Sequence, residues 1–333
     1  MIILSGDVGG TKTRLQITQF TDYQHFDMLA HGKYFNHDFT SFTEIITHFL
    51  QQHHFKGENI ERTCFAVAGP IIHGCVKFTN LPWFISETLL HEELGFKHVH
   101  LMNDFEAIGY GLDTLKAQDV HALQQGEAIS HRTRAIIGAG TGLGVAISVY
   151  NTNRFLVIPT EGGHVDFAPT DATQDALWQY LRKKLHRVSI ERLVSGPGIV
   201  NIYNFVRDNP LFNEKENPTL KLQLFKGGDA AAMIAEYATQ HHDPMAMRAL
   251  DLFIRIYGAC AGNLALTTLP YSGLYIVGGI APKLLPQLLD GRFLQAFSDK
   301  GRMSNLLANI PVYVVLDTGI GLQGAANFAY LQA

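Results

Sequence analysis

The sequence predicts an α/β protein of two domains, each built around a hairpin whose glycine-rich turn faces a ligand. Three observations lead there. First, Ile136–Gly144, IIGAGTGLG, sets four glycines between two apolar runs, Arg134–Ile137 and Val145–Tyr150, that read as strands. Glycine is costly inside a strand and useful where backbone turns tightly or approaches a ligand, so the pattern suggests a β-hairpin presenting N–H groups to phosphate. Second, residues 2–17, IILSGDVGGTKTRLQI, repeat the layout: an apolar run, then Gly6, Gly9 and Gly10, a threonine, and apolar alternation resuming at Leu15 and Ile17. An ordinary hairpin shares the look of either stretch, but the repetition points to a duplicated device. Third, 333 residues exceed what one compact core usually supports.

The composition narrows the class. Apolar content of 47% with 17% charged residues fits a folded chain. A net charge of −4 argues against general nucleic-acid binding, which needs a basic face. No apolar run reads as a membrane span, and the apolar start runs straight into the glycine turn, as a first strand and not a secretory signal. Cys64, Cys75 and Cys260 are isolated, which suggests a reducing compartment and neither a zinc knuckle nor a disulfide framework.

In the first half, Met1–Leu4, Thr13–Phe20 and Phe26–Phe35 read as strands, and Thr40–His54 carries Phe42, Ile45, Ile46, Phe49 and Leu50 at helical spacing. Thr63–Val67 is a buried-type strand stopped by Ala68-Gly69-Pro70, and Ile72–Phe78 reads as an edge hairpin. Ser86–Leu94 is a helix with Ser86 as N-cap. Val99–Leu101 is a strand handing over through Met102-Asn103-Asp104 to a helix at Phe105–Leu112. Active-site residues of α/β sheets concentrate at such carboxyl ends. Asp104 is either a plain N-cap or, with Asn103, half of a clamp on a polyol, one side chain donating and one accepting. Asp7 lies in the first turn, either in the shell of a Mg²⁺ ion through water or as an Asx-turn acceptor. Thr11 and Thr13 either donate to phosphate or populate a strand, and Lys12 is placed to meet phosphate directly. The turn is neither a Walker A loop nor a dinucleotide fingerprint, because a strand follows where those need a helix.

In the second half, Glu161-Gly162-Gly163-His164 and Asp166 form a polar patch between apolar segments. It lacks metal-ligand spacing and suits recognition of hydroxyls by Glu161 and His164 better than a metal or a chance surface turn. Asp171–His186 is a helix, and Ile199–Val206 the next. Glu191 is either part of the polyol site or a solvated helix residue. Asn209–Gly228 has no period and reads as a surface excursion. Gly228–Thr239 and the long Pro244–Leu269 are helices. Gly273–Val277 is a strand ending in Gly278-Gly279, suited to laying an adenine against backbone. Short helical pieces at Leu284–Leu289 and Phe293–Phe297, a strand at Ile310–Leu316 and a helix at Ile320–Leu331 complete the chain.

In this order the segments resemble the bacterial-type glucokinases of the sugar-kinase/actin-like ATPase superfamily. GDVGGTKTRL at 6–15 and GAGTGLG at 138–144 resemble its two phosphate segments, and LMNDFEAIGYG at 101–111 the connector with its catalytic aspartate. EGGHVDFAP at 161–169 and ERLVSGPGIVNIY at 191–203 resemble its sugar segments, and VGGIAPK at 277–283 its adenosine segment. The resemblance spans essentially the whole chain. It implies two RNase H-like α/β domains around a cleft: residues 1–110 completed by the terminal helix 319–333, and residues 111–318.

The implied reaction is transfer of phosphate from ATP to the 6-hydroxyl of D-glucose, with Asp104 as general base. Asn103, Asp104, Glu161, His164 and Glu191 would bind glucose. Gly6, Asp7, Gly9, Gly10, Thr11, Lys12, Gly138, Gly140, Thr141, Gly142, Gly278 and Gly279 would hold Mg-ATP, with Asp7 reaching Mg²⁺ through water. The resemblance further implies a cytoplasmic homodimer acting on a small molecule, with neither nucleic acid nor membrane as partner. Two departures stand out. The repressor-like branch carries a CxCGxxGC zinc segment, and this chain has no cysteine between Cys75 and Cys260, so no zinc is expected. Lys12 stands where the close branch often has Asn. The rivals are a kinase of mannose, fructose or N-acetylmannosamine, an actin-like ATPase interaction module, and a sugar-sensing repressor, for whose helix-turn-helix the sequence shows no room before Met1–Gly6.

Overall fold

The computed structural model describes residues 1–22, 25–69, 71–78 and 81–332. The chain divides into two compact units. One comprises Met1–Ala117, Asn153–Pro159 and Asp317–Ala333; the other Gln118–Thr152 and Thr160–Leu316. Residues 153–159 therefore go with the first unit, although they lie inside 111–318.

The first unit begins with strands β1 (Ile2–Val8), β2 (Lys12–Phe20) and β3 (Phe26–Phe35), then helix α1 (Phe42–Gln52) and strand β4 (Arg62–Val67). A small ribbon, β5 (Cys75–Lys77) with β6 (Phe84–Ser86), leads into α2 (Glu87–Leu94), β7 (Val99–Asn103) and α3 (Asp104–Gly111). Alternating apolar residues put Leu4, Leu15, Ile17, Phe65 and Leu101 into one core with the apolar stripe of α1. Ser41 and Ser86 cap α1 and α2 by accepting the N–H groups of Glu44 and Leu89.

The second stretch contains β8 (Val120–Gln124), β9 (Arg134–Ala139), β10 (Leu143–Asn151), β11 (Arg154–Thr160), α4 (Ala172–Leu185), α5 (Gly196–Asp208), α6 (Pro218–Lys226), α7 (Ala230–Thr239) and α8 (Pro244–Thr268). It continues through β12 (Leu274–Val277), α9 (Leu285–Leu289), α10 (Arg292–Ser298), α11 (Ser304–Ala308) and β13 (Val312–Val315). The last helix, α12 (Ile320–Leu331), returns to the first unit. Helix α8 is long and apolar enough to cross a membrane by length and composition, contrary to the sequence reading, but 72% of that window is buried inside the protein, where it forms the spine of the second core.

The expected duplication is present in the sheets. One sheet runs β3-β2-β1-β4-β7 and the other β11-β10-β9-β12-β13, with β8 added at its edge. In both, the central strand pairs antiparallel with its hairpin partner (β1 with β2, β9 with β10) and parallel with the next (β1 with β4, β9 with β12). The carboxyl ends of the parallel strands and the hairpin turns thus lie at the same edge of each sheet, where α/β proteins place their ligands.

Several elements differ from the sequence reading: β6, β8 and α11 have no counterpart in it, the edge hairpin expected within Ile72–Phe78 is instead β5 paired with β6, and two further differences have a local cause. The excursion 209–228 contains α6, begun by the Asn217 side chain accepting the N–H groups of Thr219 and Leu220. Its polar sequence hides it, because only Leu220 is buried. Helix α5 starts three residues early, at Gly196, because Ser195 caps it and Pro197 sits in its first turn, where a missing N–H costs nothing.

Candidate active site

In the first unit, β1 and β2 meet at the turn Gly9–Lys12, closed by the Gly9 N–H donating to the Lys12 carbonyl at 3.0 Å. Gly10 and Thr11 are exposed, and a Cβ on Gly10 would meet nothing within 4 Å, so this tip has room for a ligand close to backbone. Lys12 lies with its ammonium 5.0 Å from the centroid of the Phe35 ring. Gly6 is not in the turn. It sits inside β1 opposite Leu15, and a Cβ there would come within 2.6 Å of the Phe65 ring, so this glycine serves packing. Thr13 is likewise a buried strand residue whose hydroxyl donates to Asn36. Asp7 lies on β1, opposite Arg14, one strand position before Val8 ends the element. Burial pushes its carboxyl above the usual carboxylate range, and the Arg14 charge pulls it partly back.

At the end of β7, the roles of Asn103 and Asp104 separate. Asn103 is the cap of α3, its Oδ1 accepting the N–H groups of Phe105 (2.9 Å) and Glu106 (3.3 Å). Asp104 is the first residue of the helix, so the simple N-cap reading of Asp104 is replaced by a cap at its neighbour. The helix is anchored by close approach to α12. A Cβ on Gly324 would fall 1.7 Å from the Ala107 carbonyl, and one on Gly111 2.4 Å from that of Ile320. The Asn327 amide donates to the Tyr110 carbonyl at 2.9 Å.

In the second unit, β9 and β10 meet at Gly140-Thr141-Gly142, with the Gly140 N–H donating to the Gly142 carbonyl at 2.8 Å. Gly138, like Gly6, is a buried strand residue, paired with Gly144 and Val277. The Tyr257 hydroxyl of α8 fastens the end of β9 by accepting the Ala139 N–H at 3.3 Å. Its burial raises the phenol far above its ordinary range, so it stays neutral there.

The two segments that carry the predicted sugar residues meet at Leu143, the first residue after that turn. Its N–H donates to Glu191 Oε2 at 3.0 Å. Its carbonyl is so close to the 162–164 turn that a Cβ on Gly163 would fall 2.0 Å away. Glu161 and His164 flank that turn, their side chains 3.7 Å apart and largely exposed. The Ile190 N–H donates to the Val165 carbonyl at 2.9 Å, tying the segment to the one that carries Glu191. Arg187 holds it further, donating to the His164 carbonyl and to Asp166. Glu191 belongs to a short helical turn, Ile190–Arg192, whose carbonyl at Glu191 accepts the Ser195 hydroxyl at 2.7 Å. Ser195 in turn accepts the Gly198 N–H at 3.0 Å as the cap of α5.

A cavity of about 690 Å³ opens beside the same turn. Gly140, Thr141 and Gly279 line it, as expected of a phosphate turn and an adenosine segment. A Cβ on Gly140 or Gly279 would meet nothing within 4 Å, whereas Gly278, at φ +89°, packs against the Ala139 carbonyl and shapes the strand exit. Pro197 and Asn201 of α5, from the predicted sugar segment, Lys283, from the predicted adenosine segment, and Asp229 before α7 also line the cavity. The one available sequence signal here was Ser-Gly-Pro, which reads as a capped helix start; its N–H groups are taken, Gly196 donating to the Gly140 carbonyl and Gly198 to Ser195. Asp229 was hidden at the start of Gly228–Thr239, which reads only as a helix; it caps α7 by accepting the Ala232 N–H.

Such a glycine-turn hairpin, joined to a carboxylate and bordering a cavity of nucleotide size, has counterparts among known proteins. The glucokinase family model matches residues 4–332. The chain belongs to the glucokinase family. The glucokinase of Nostoc punctiforme is 43% identical over 335 residues, covering 98% of each chain. A crystal structure of glucokinase from an Antarctic psychrotroph superposes with a TM-score of 0.84 at 31% identity, covering 99% of each chain. The glucokinase of Balamuthia mandrillaris, solved in complex with glucose, shares the fold at a TM-score of 0.78 and 22% identity, covering 98% of this chain and 93% of its own. The duplicated α/β sheets are accordingly those of the sugar-kinase/actin-like ATPase fold, and membership of the glucokinase family makes the chain an ATP-dependent glucose kinase.

Proposed function

We propose that the chain transfers the γ-phosphoryl group of ATP to the 6-hydroxyl of D-glucose, with Asp104 as general base. The observation that carries the site assignment is that Glu191 accepts the Leu143 N–H at the foot of the second glycine turn, while Gly163, between Glu161 and His164, packs on the Leu143 carbonyl. Asn103, Asp104, Glu161, His164 and Glu191 bind the sugar hydroxyls. Asp104 accepts the 6-hydroxyl proton as O6 bonds to the γ-phosphorus and the bond from that phosphorus to the β,γ-bridging oxygen breaks, leaving ADP. Asn103 serves as the cap that orients α3, and Asp104 Oδ1 accepts the Phe105 N–H at 2.9 Å, which fixes the carboxylate at the start of the helix.

Backbone N–H groups of Gly10 and Thr11 and of Thr141 and Gly142 hold phosphate oxygens in turns that the Gly9 and Gly140 N–H groups close, with Lys12 supplying a positive charge. The adenosine lies against Gly279 in the 690 Å³ cavity. Asp7, an oxygen donor sheltered at the end of β1, suits a hard cation. Mg²⁺ bound with ATP neutralises phosphate charge, and Asp7 holds it through water. We further assign the enzyme to the cytoplasm, as a homodimer feeding glycolysis.

The test is ADP release with MgATP across glucose, mannose, fructose and N-acetylmannosamine. The reading requires the highest kcat/KM with glucose. A preference for another hexose would reassign the substrate, and sugar-independent hydrolysis would favour an ATPase module.

A further inference from the structure

The first glycine turn is held from outside as well as by its own bond from Gly9 to Lys12. Asn36, the residue after β3, is 2% exposed and touches the turn at three points. Its amide Nδ2 donates to the Gly9 carbonyl at 2.8 Å. Its backbone N–H donates to the Thr11 carbonyl at 3.0 Å. Its Oδ1 accepts the buried Thr13 hydroxyl at 2.9 Å, which fixes the orientation of the amide. Both carbonyls flanking the Gly10–Thr11 tip are therefore turned inward to one side chain and its backbone.

A trans peptide sets its C=O and N–H on opposite sides. With the Gly9 carbonyl pointing at Asn36, the Gly10 N–H points the other way, out of the turn. Gly10 is also the position where added side-chain bulk would meet nothing within 4 Å. We infer that Asn36 is a positioning residue for phosphate binding: it aims the Gly10 N–H outward and keeps the turn open in the absence of nucleotide. This rests on the reading of Gly9–Thr11 as a phosphate-holding turn. The neutral amide of the residue after β3 fixes the aim of this N–H, and such preorganised donors need no rearrangement when charge arrives.

The test compares the parent enzyme with Asn36→Ala, which removes both side-chain bonds, and Thr13→Val, which keeps side-chain volume but frees the Asn36 amide to rotate. KM for ATP, KM for glucose and kcat are measured, with glucose binding by calorimetry as a check of folding. In Asn36→Ala the ATP KM is expected to rise about tenfold, and in Thr13→Val about threefold, while the glucose KM moves less than about twofold. A purely structural role would lower the active fraction, and so kcat, with no split between the two KM values. Equal shifts of both constants, or an ATP KM within about twofold of the parent in a glucose-binding variant, overturn the inference. If Asn36→Ala fails to bind glucose, Thr13→Val decides alone by the same criterion. A parent enzyme that shows no ATP-dependent turnover with any sugar would instead overturn the functional reading on which this rests.

Discussion

Glu191 accepts the N–H of Leu143, a residue 48 positions earlier, at 3.0 Å. This bond joins a predicted sugar ligand to the foot of the second phosphate turn. Its consequence is that the two non-strand glycines of that turn have different jobs. A Cβ on Gly142 would come within 2.5 Å of Glu191 Oε2, so Gly142→Ala must push the carboxylate aside. Gly140 faces the cavity with nothing within 4 Å, so a side chain there intrudes only on what the cavity binds. Gly142→Ala is therefore expected to raise the glucose KM about tenfold, and Gly140→Val the ATP KM by a similar factor with glucose nearly unaffected. Steady-state kinetics in both substrates separate the two. An effect of Gly142→Ala confined to ATP would show that Glu191 does not serve the sugar.

Asp104 is the first residue of α3, while Asn103 does the capping. Asp104→Asn should therefore leave the helix start intact, along with thermal stability and glucose binding by calorimetry. As the removal of a general base, it should lower kcat by about 10² to 10⁴. Asn103→Ala is the complementary case: loss of the cap costs about 1 kcal/mol of stability. Near-normal kcat in Asp104→Asn would remove the base assignment.

Much of this was legible in the sequence because the signals were local. The β1–β2 and β9–β10 hairpins follow from apolar alternation broken by glycines, and the cap of α2 from a serine at the head of its segment. Helix α6 escaped because a helix that buries only Leu220 leaves no apolar period to read. Gly6 and Gly138 lie inside strands β1 and β9 and not in the turns, and a sequence shows that a residue is glycine without showing which neighbour forbids a side chain, as the Phe65 ring does at Gly6. The roles of Asn36, Ser195 and Leu143 depend on contacts between segments tens of residues apart in most cases, and on main-chain atoms common to every residue, so no residue type announces them.

The packing role of Gly6 has its own test. A methyl group there meets the Phe65 ring at 2.6 Å and a Leu15 methyl at 3.0 Å, both in the first core. Gly6→Ala is expected to destabilise the protein by about 1 to 3 kcal/mol, the usual cost of overpacking, as read by urea denaturation. Enzyme that remains folded should keep an ATP KM close to the parent value. A large rise in ATP KM without loss of stability would return Gly6 to the phosphate site.

Asp7 sets a pH dependence whose sign follows from its surroundings. Burial raises its carboxyl in the folded protein above its value in the unfolded chain, with Arg14 opposing only in part. Between the unfolded and the folded value the native state holds more protons than the unfolded one, so this group's contribution to stability falls as pH rises through that window. Above the window the cost of the buried charge is fully present. Asp7→Asn removes the charge, so the variant should be more stable than the parent near neutral pH, with the advantage shrinking as pH falls toward the ordinary carboxylate range. Denaturation midpoints of both proteins across pH 4 to 8 measure this. The same variant should lose turnover with MgATP if Asp7 serves the cation, a stability gain at the expense of function. A variant less stable than the parent at neutral pH would mean that the pairing with Arg14 outweighs the burial, and would reverse the sign.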